Sequence, residues 1–351
     1  MVRVKQFQDS NVYEAAIERI NHVFDTFDTI VVMFSGGKDS LAVLHLVKQV
    51  SESRGIDTVN VVFRDEELIQ NSVIKFVDEY RQKPWVNMLY FAVPLWSQKF
   101  VLGKTEKYIQ WDKSRRHVRP IPDHAITFDD ERVFDQYTMD SLTASYFTGK
   151  IAFMNGIRAS ESLIRYRSSL NKLNESYINA PPQGEKHIRL VKPIYDWQED
   201  DVFKYFYDKD IRYCPIYDHQ IWNSESLRVS TPIHQEKAKK FDKLKTNDPV
   251  LYEQVIDLFP EMLVQERYWQ EYDTEAVKRQ FSASFDTLYD WIVANITDPK
   301  EKKLAFSRFK ECFKLHGNEP KSYPLSHIAT HFLNGSYKRT ILPLGKDEQS
   351  N

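Results

Sequence analysis

Cysteine is scarce in this sequence, with only Cys214 and Cys312 in 351 residues. Two cysteines are too few for a disulfide framework, and their scarcity suggests a reducing compartment. They also exclude an iron–sulfur cluster that is held by four cysteines of one chain. The sequence contains no apolar run of membrane-spanning length, and its charged, amphipathic N-terminus is unlike a signal peptide. We therefore expect a cytoplasmic protein with no membrane partner.

The sequence also lacks an excess of charge of either sign, because its formal net charge is -2. There is thus no global basic field of the kind that attracts nucleic acid. Hydrophobic residues make up 42% and charged residues 28%, which is typical of a globular protein. A chain of 351 residues is long enough for one large or two modest domains.

Short apolar runs alternate with amphipathic segments in the first part of the chain. Residues 29–34 form a continuous apolar run rich in β-branched side chains, which favours a strand buried on both faces. Similar strands are predicted at 59–63, 87–93 and 150–154, with a further short strand near 188–191. This alternation predicts an α/β fold with a doubly wound, mostly parallel sheet, whose ligands bind at the carboxyl ends of the strands.

The domain organisation follows from where this alternation stops. We interpret residues 1–230 as the α/β domain. Within it, residues 97–135 are rich in Trp, Arg, His, Pro and Asp and break the alternation, so we expect an insertion over the site. Aromatic stripes at helical spacing predict a helical C-terminal domain over residues 231–343, and residues 344–351 are expected to form a flexible tail.

The first predicted strand leads directly into the loop Ser35-Gly36-Gly37-Lys38-Asp39-Ser40, which opens a helix. At such a junction the unpaired backbone N–H groups and the helix dipole attract an anion, and glycines let the backbone approach it closely. Lys38 adds a mobile positive charge, and Asp39 suits the helix N-terminus or a metal ion. The alternative is a generic strand–turn–helix junction; the loop is neither a Walker A motif nor a GxGxxG motif. We predict that it binds phosphates.

Three motifs, in this order along the chain, resemble a known superfamily. The SGGKDS loop resembles the PP-loop signature of N-type ATP pyrophosphatases. The segment from Gly156 through Arg158 to Arg165 is similar to the Gly-x-Arg-x-x-(Glu/Gln)-Ser-x-x-Arg segment of PAPS reductases. Lys192-Pro-Ile-Tyr-Asp-Trp, followed by Asp201-Val202, resembles their Pro-Ile-x-Asp-Trp segment. The chain thus resembles the PAPS reductase-like branch, and within it a bacterial and phage group of PAPS reductase/sulfurtransferase-like proteins that includes the immunoglobulin-binding regulator A-type proteins.

The resemblance implies an adenine nucleotide α-hydrolase-like fold and cleavage of ATP to AMP and pyrophosphate, with adenylation of an acceptor that it does not identify. ATP and Mg²⁺ are the implied cofactors. It also implies a ParB/sulfiredoxin-like partner and a role in nucleic-acid modification or in a phage-related or defence pathway. The predicted catalytic residues are Lys38, Asp39 and Arg158. The predicted nucleotide-binding residues are Ser35, Gly36, Gly37, Lys38, Asp39, Ser40, Arg158 and Arg165.

A cluster of acids, Asp65, Glu66 and Glu67, follows the second predicted strand. Carboxylates opposite a triphosphate usually bind Mg²⁺, in part through water, so we predict Asp65 and Glu66 as magnesium ligands. Alternatively, one of them binds the ribose of the nucleotide or activates a nucleophile. A charged, solvated loop is the interpretation without function.

Two other functions compete with ATP cleavage. The first is a thiol-dependent PAPS reductase, which needs the cysteine of a Glu-Cys-Gly-(Ile/Leu)-His segment. The chain has Glu311-Cys312-Phe-Lys-Leu-His316 instead, in which Cys312 is in phase with Phe309 and Phe313 on a predicted helix. We therefore expect a buried core thiol. The second is a non-catalytic nucleotide sensor that regulates a partner protein.

Two further clusters allow a functional interpretation. Lys113, Arg115, Arg116, His117 and Arg119, with Trp111 nearby, form a basic and aromatic patch that suits a nucleic-acid backbone. Four residues form two pairs at helical spacing: Cys312 with His316, and His327 with His331. We predict a zinc site if a helical hairpin brings the two pairs together. Exposed or core histidines are the alternative.

Overall fold

The computed structural model describes residues 9–169, 176–181, 185–269, 279–296 and 298–344. The chain forms two compact units. The first consists of residues 1–97, 109–232 and 244–258, and the second of residues 98–108, 233–243 and 259–351. The predicted boundary at 231 lies next to the break after Pro232. The sequence did not indicate that residues 98–108 belong to the second unit and residues 244–258 to the first. The predicted tail lies outside the described residues from 345 onward.

The first unit is built on a six-stranded sheet. The strands of the described residues are β1 (Thr29–Met33), β2 (Val59–Arg64), β3 (Val86–Phe91), β4 (Leu95–Val101), β5 (Lys104–Gln110), β6 (Ile151–Asn155), β7 (Ile178–Asn179) and β8 (Ile188–Val191). The sheet has the order β3-β2-β1-β6-β8-β7, and only the β7–β8 pairing is antiparallel. The predicted doubly wound, mostly parallel sheet is confirmed.

Helices cover both faces of this sheet. The first seven are α1 (Val12–Thr26), α2 (Lys38–Ser53), α3 (Asn71–Arg81), α4 (Gln136–Ala144), α5 (Leu163–Ser168), α6 (Glu199–Asp208) and α7 (Ile216–Trp222). Short helices follow at Gln235–Ala238, Asp242–Asn247, Pro249–Leu258 and Glu261–Tyr268, and longer ones at Phe285–Asn295, Pro299–Asn318 and Leu325–Leu333. Successive side chains of a strand point to opposite faces. Val31 and Phe153 accordingly pack in one core with Met139, whereas Val32 and Met154 pack in the other core with α2.

The segment predicted to be an insertion, residues 97–135, contains regular structure. β4 and β5 pair as a separate two-stranded sheet, and α4 begins directly after the segment. Polar residues interrupt the alternation in both strands, and Leu102 occupies the left-handed position of the turn before Gly103, with φ of 41°. A leucine is a poor signal for such a turn, which explains why the sequence did not predict the hairpin.

The second unit is helical towards its C-terminal end, as predicted. Its three longer helices pack around a core that contains Leu288, Ile292, Cys312, Ile328 and Phe332. In the part of the chain that the structure describes, no helix is long and apolar enough to cross a membrane.

The strand order places a crevice beside the phosphate loop. From β1 the chain builds outward to β2 and β3 on one side, and later to β6 and β8 on the other. Ligands of open parallel sheets bind at such a switch point. Gly156 follows β6 here, and a Cβ atom on it would lie 2.4 Å from the carbonyl carbon of Asp39 and 2.4 Å from the amide nitrogen of Ser40. The backbone after β6 therefore packs against the first turn of α2 with room for glycine alone.

The substitution Gly156→Ala tests this close approach. We expect it to lower the free energy of unfolding by about 1–3 kcal/mol or more, because the backbone of α2 cannot yield as a flexible side chain does. Gly317→Ala is the matched control. It lies inside a helix with nothing within 4 Å of its added Cβ, so it should be neutral or stabilise by up to about 1 kcal/mol. Urea unfolding measures both, and equal stability of Gly156→Ala and the parent would contradict the packing.

Candidate active site

Two serines close the phosphate loop on itself. The Ser35 N–H donates to Ser40 Oγ at 3.1 Å, and the Gly37 N–H donates to Ser35 Oγ at 3.3 Å. The Ser40 hydroxyl in turn donates to the Gly37 carbonyl at 2.9 Å. Gly36 has φ of +74°, and a Cβ atom on it would lie 2.8 Å from a methyl group of Val73 in α3. The loop therefore requires its first glycine for backbone conformation and for packing.

The loop presents backbone donors at the start of α2. The Lys38 N–H donates to the Tyr217 hydroxyl at 2.7 Å. Within the described ranges, the amides of Gly36, Asp39 and Ser40 have no protein acceptor. Because the first N–H groups of a helix carry the positive end of its dipole, these three amides are donors of the kind that suit an anion.

Lys38 and Arg158, the two predicted phosphate cations, are buried and bind carboxylates instead. Lys38 Nζ lies 3.1 Å from Asp39 Oδ2 and 3.2 Å from Glu199 Oε2, and it donates to the Leu227 carbonyl at 2.8 Å. Arg158 Nε donates to Asp39 Oδ1 at 2.6 Å, and its Nη2 lies 3.6 Å from Glu199 Oε2. The structure thus joins the three predicted catalytic residues in one ion network with Glu199, which the sequence did not single out.

A cleft of about 370 Å³ opens at the carboxyl ends of the strands. From the phosphate loop it is lined by Ser35, Gly37, Asp39 and Ser40. Its cationic lining residues are Arg64, Arg165, Lys192 and Arg228, and its other acidic ones are Glu66, Asp140 and Glu161. Of the four cations, only Arg165 was predicted as a ligand. Lys38 and Arg158 are not among the lining residues.

The four lining cations differ in their partners. Arg64 binds Asp140 at 2.6 Å, and Arg165 pairs with Glu161. Lys192 Nζ donates to the hydroxyl of Ser168 at 2.7 Å. Lys192 and Arg228 form no ion pair within the described ranges, so they supply positive charge that the cleft does not neutralise.

Burial shifts two pKa values in the cleft in opposite directions. It lowers the pKa of Lys192, and the nearby Arg165 guanidinium lowers it further. It raises the pKa of Glu66, and the adjacent Asp65 carboxylate adds to that increase. Both shifts favour the neutral form of the side chain. A phosphate group bound beside Lys192 would oppose the first shift, because an anion favours the ammonium form.

The predicted magnesium ligand Asp65 is wrong, because its carboxylate is buried and already satisfied. Its Oδ2 accepts from the Tyr90 hydroxyl at 2.6 Å, and its Oδ1 accepts from Arg119 at 2.5 Å and from the Glu67 N–H at 2.9 Å. Both oxygens of Asp65 therefore already bind protein donors, and Asp65 is not among the residues that line the cleft. Glu66, in contrast, lines the cleft, and its role as a magnesium ligand stays a prediction.

Glu67 is a structural carboxylate with no exposed surface. Both of its oxygens accept from Arg115 at 2.7 Å, and one accepts from the Trp111 N–H at 2.6 Å and the other from the Val118 N–H at 3.2 Å. Its backbone has φ of 60°, a strained value for a non-glycine residue. The side-chain network holds this conformation and fixes residues 111–119 at the end of β2.

The basic patch is not a continuous track of free cations. Arg115 and Arg119 bind the buried carboxylates just described, and Arg116 pairs with Asp257. Lys113 donates to the backbone carbonyl of Asp130. The fold thus uses Arg115 and Arg119 to anchor the segment, and a nucleic-acid surface at this patch stays a prediction.

The predicted zinc site is also wrong. Cys312 lies in the apolar core of the second unit, while His316 Nδ1 bonds the Tyr323 carbonyl and His327 Nε2 bonds the Leu342 carbonyl, each at 2.8 Å. Only His327 and His331 lie against each other, with ring centroids 4.6 Å apart. Among the residues whose structure is described, no group of three or more His, Cys, Asp or Glu side chains could hold a metal ion.

Neither cysteine is suited to redox chemistry. Cys214 and Cys312 are both completely buried, as we expected for Cys312, and burial raises the pKa of each thiol to about 11. A reactive cysteine needs an accessible thiolate near neutral pH. Neither side chain meets that requirement.

Residues 29–255, and with them the sheet, the phosphate loop and the cleft, match the phosphoadenosine phosphosulfate reductase domain. The chain belongs to this family. A curated relative is the Escherichia coli (strain K12) protein named Uncharacterized protein YbdN, which is 31% identical over 225 residues, or 59% of this chain and 54% of the relative. The chain thus spans about half the length of that relative.

Solved structures of proteins with several different activities are partly similar in fold to this chain. Candida glabrata FMN adenylyltransferase has a TM-score of 0.41 at 14% identity, with 61% of this chain and 62% of that chain covered. Candida auris phosphoadenylyl-sulfate reductase has a TM-score of 0.35 at 12% identity, with 65% and 98% covered. The U34-tRNA thiolase NcsA of Methanococcus maripaludis has a TM-score of 0.34 at 14% identity, with 73% and 80% covered.

The adjacent acids Glu66 and Glu67 provide a matched test of the site. Glu67→Gln should lower the free energy of unfolding by about 3 kcal/mol, because it leaves the Arg115 charge without its counter-charge. Glu66→Gln should not destabilise the protein at neutral pH. Since the pKa of folded Glu66 is raised, its ionisation costs stability as pH rises above 4.5, the ordinary pKa of a glutamate, and the glutamine removes that cost. Denaturant unfolding at pH 4 and pH 7 measures both effects; similar losses for the two variants would contradict this division of roles.

Proposed function

We propose that this chain binds ATP in the cleft and cleaves it between the α- and β-phosphates, transferring AMP to an acceptor. The observation that carries the proposal is the set of three unpaired amides of the phosphate loop, at a helix N-terminus that faces a cleft with unneutralised positive charge. A PAPS reductase-family domain with such a cleft supports nucleotide binding. The four negative charges of the ATP triphosphate are best bound by backbone donors together with cations, and the cleft contains both.

In the proposed reaction an acceptor oxygen attacks the α-phosphorus of ATP. The new P–O bond forms as the bond from the α-phosphorus to the bridging oxygen breaks, and pyrophosphate leaves with that electron pair. The acceptor proton passes to solvent. A second nucleophile then displaces AMP from the adenylated acceptor. The protein contributes positioning and charge stabilisation, through the loop amides and Lys192.

Lys38 and Arg158 act in this proposal through Asp39. They hold its carboxylate at 3.1 Å and 2.6 Å, which offsets its negative charge next to the phosphate-binding amides. Without them, an uncompensated carboxylate at the loop would repel the triphosphate. Their role is therefore to position Asp39 and to compensate its charge.

Magnesium would be bound mainly by the nucleotide. Mg²⁺ is typically held by one or two carboxylates together with substrate phosphates and water, and Glu66 is the strand-end acid that lines the cleft. Bound in this way, the ion would neutralise charge on the leaving pyrophosphate. Asp65, whose oxygens are all bonded to protein donors, would not contribute.

Of the two competing functions, the reductase receives less support. The reductase requires a thiolate, and both thiols are buried with a pKa of about 11. A non-catalytic sensor would bind ATP without releasing pyrophosphate. The ParB/sulfiredoxin-like partner stays a proposal that rests on the resemblance, and co-purification from the native host tests it.

Lys192→Met tests the charge of the cleft. It removes the ammonium but keeps the stem of a side chain that is 6% exposed, and it should weaken ATP binding about tenfold, the typical effect of one charge-assisted contact. Stability should not fall, because burial already disfavours the charged form. Lys150→Met, at the amino end of β6, is the control and should bind ATP as the parent does. Calorimetry that finds equal affinity for the two variants would contradict the assignment of the cleft.

The double substitution Cys214→Ser with Cys312→Ala separates the proposed reaction from the reductase. With ATP and Mg²⁺ alone, water takes the place of the acceptor oxygen, so the parent should release pyrophosphate and AMP in equal amounts. The double variant should retain this activity once corrected for its fraction folded. Complete loss of turnover in a folded variant that still binds ATP would favour the reductase. Binding without pyrophosphate release in the parent would favour the sensor.

A further inference from the structure

Residues 224–229, which follow α7 and which we call the cover segment, line the cleft through Leu227, Arg228 and Val229. A buried amide from α7 fixes its backbone. Gln220, which is 2% exposed, donates from Nε2 to the Arg228 carbonyl at 2.7 Å and accepts at Oε1 from the Arg228 N–H at 2.9 Å. Both ends of one side-chain amide thus bind the backbone of a single residue, which fixes the position of Arg228.

The same elements are attached to the phosphate loop. The ammonium of Lys38 donates to the carbonyl of Leu227, the residue directly before Arg228, at 2.8 Å. One helical turn before Gln220, the hydroxyl of Tyr217 accepts from the Lys38 N–H at 2.7 Å. Arg228 therefore extends from a backbone that is fixed both to α7 and to the loop that would hold phosphate.

The guanidinium of Arg228 has no protein partner in the part of the chain that the structure describes. Its side chain is exposed and forms no hydrogen bond or ion pair there, whereas Arg64 and Arg165 in the same cleft bind Asp140 and Glu161. A guanidinium presents paired donors that match a phosphate group. A fixed backbone lowers the entropy cost of forming such a contact.

We propose that Arg228 is a further binding residue of this cleft, which takes a terminal phosphate group of a polyphosphate ligand, and that Gln220 is its positioning residue. The proposal deepens the proposed function, on which it rests for the identity of the ligand. It assigns the cover segment to the polyphosphate end of the cleft, because Leu227 is bound to the phosphate loop there.

Calorimetric titration with pyrophosphate and with AMP tests this assignment without turnover. Arg228→Gln should weaken pyrophosphate binding about tenfold and AMP binding less than about twofold, since AMP lacks the terminal phosphates. The loss should shrink at high salt, because the exposed charge is screened. Gln220→Met should give part of this loss, and the double variant should bind no more weakly than Arg228→Gln, because both act on one contact.

The control is Arg189→Gln, which removes a charge from an arginine that, among the residues whose structure is described, bonds only the carbonyls of Lys186 and Ile188. An equal loss in this control, or an equal loss for AMP and pyrophosphate in Arg228→Gln, would overturn the assignment. So would pyrophosphate affinity of Arg228→Gln within about twofold of the parent at low salt. A failure of the parent to cleave ATP would contradict the proposed function alone, because these titrations do not depend on cleavage.

Discussion

The contact between Gly156 and the first turn of α2 determines the geometry of the site. With no side chain at Gly156, the backbone after β6 reaches the peptide that joins Asp39 to Ser40. Arg158, two residues further on, is thereby brought to Asp39 at 2.6 Å. Since β1 and β6 are adjacent parallel strands, this approach converts a sheet edge into a closed site. Any side chain at this position would separate the phosphate loop from its arginine.

The charges near the loop are divided into a neutral network and a positive cleft. Lys38 and Arg158 offset Asp39 and Glu199, so the anion attraction of the loop arises from its amides. Unneutralised positive charge comes from Lys192 and Arg228, which enter from β8 and from the cover segment. This division explains why the lysine of the loop is buried. Its charge stabilises the protein structure around the loop, while separate residues provide charge for a ligand.

Local sequence predicted the sheet and the phosphate loop because both depend on neighbouring residues: apolar runs, glycines and a helix start. It could not distinguish Asp65 and Glu67 from Glu66, since their donors, Arg119 and Arg115, lie 54 and 48 residues away. The rule that ligands lie at the carboxyl ends of strands would have identified Arg64 and Lys192 as residues of the cleft. No such rule identifies Arg228, because it follows a short helix and its backbone is held in place by Gln220.

The three consecutive acids after β2 show how the fold fixes a side chain that makes few contacts itself. Asp65 and Glu67 are anchored by buried donors on both sides of Glu66, and the left-handed backbone at Glu67 is held by the same bonds. The backbone of Glu66 therefore has little freedom, although its carboxyl faces the cleft. Burial and the Asp65 carboxylate raise the pKa of Glu66, so a cation in the cleft would favour the ionised form of Glu66. That cation would then bind a carboxylate that is already in position. Two structural acids thus preorganise the one acid of these three that lines the cleft.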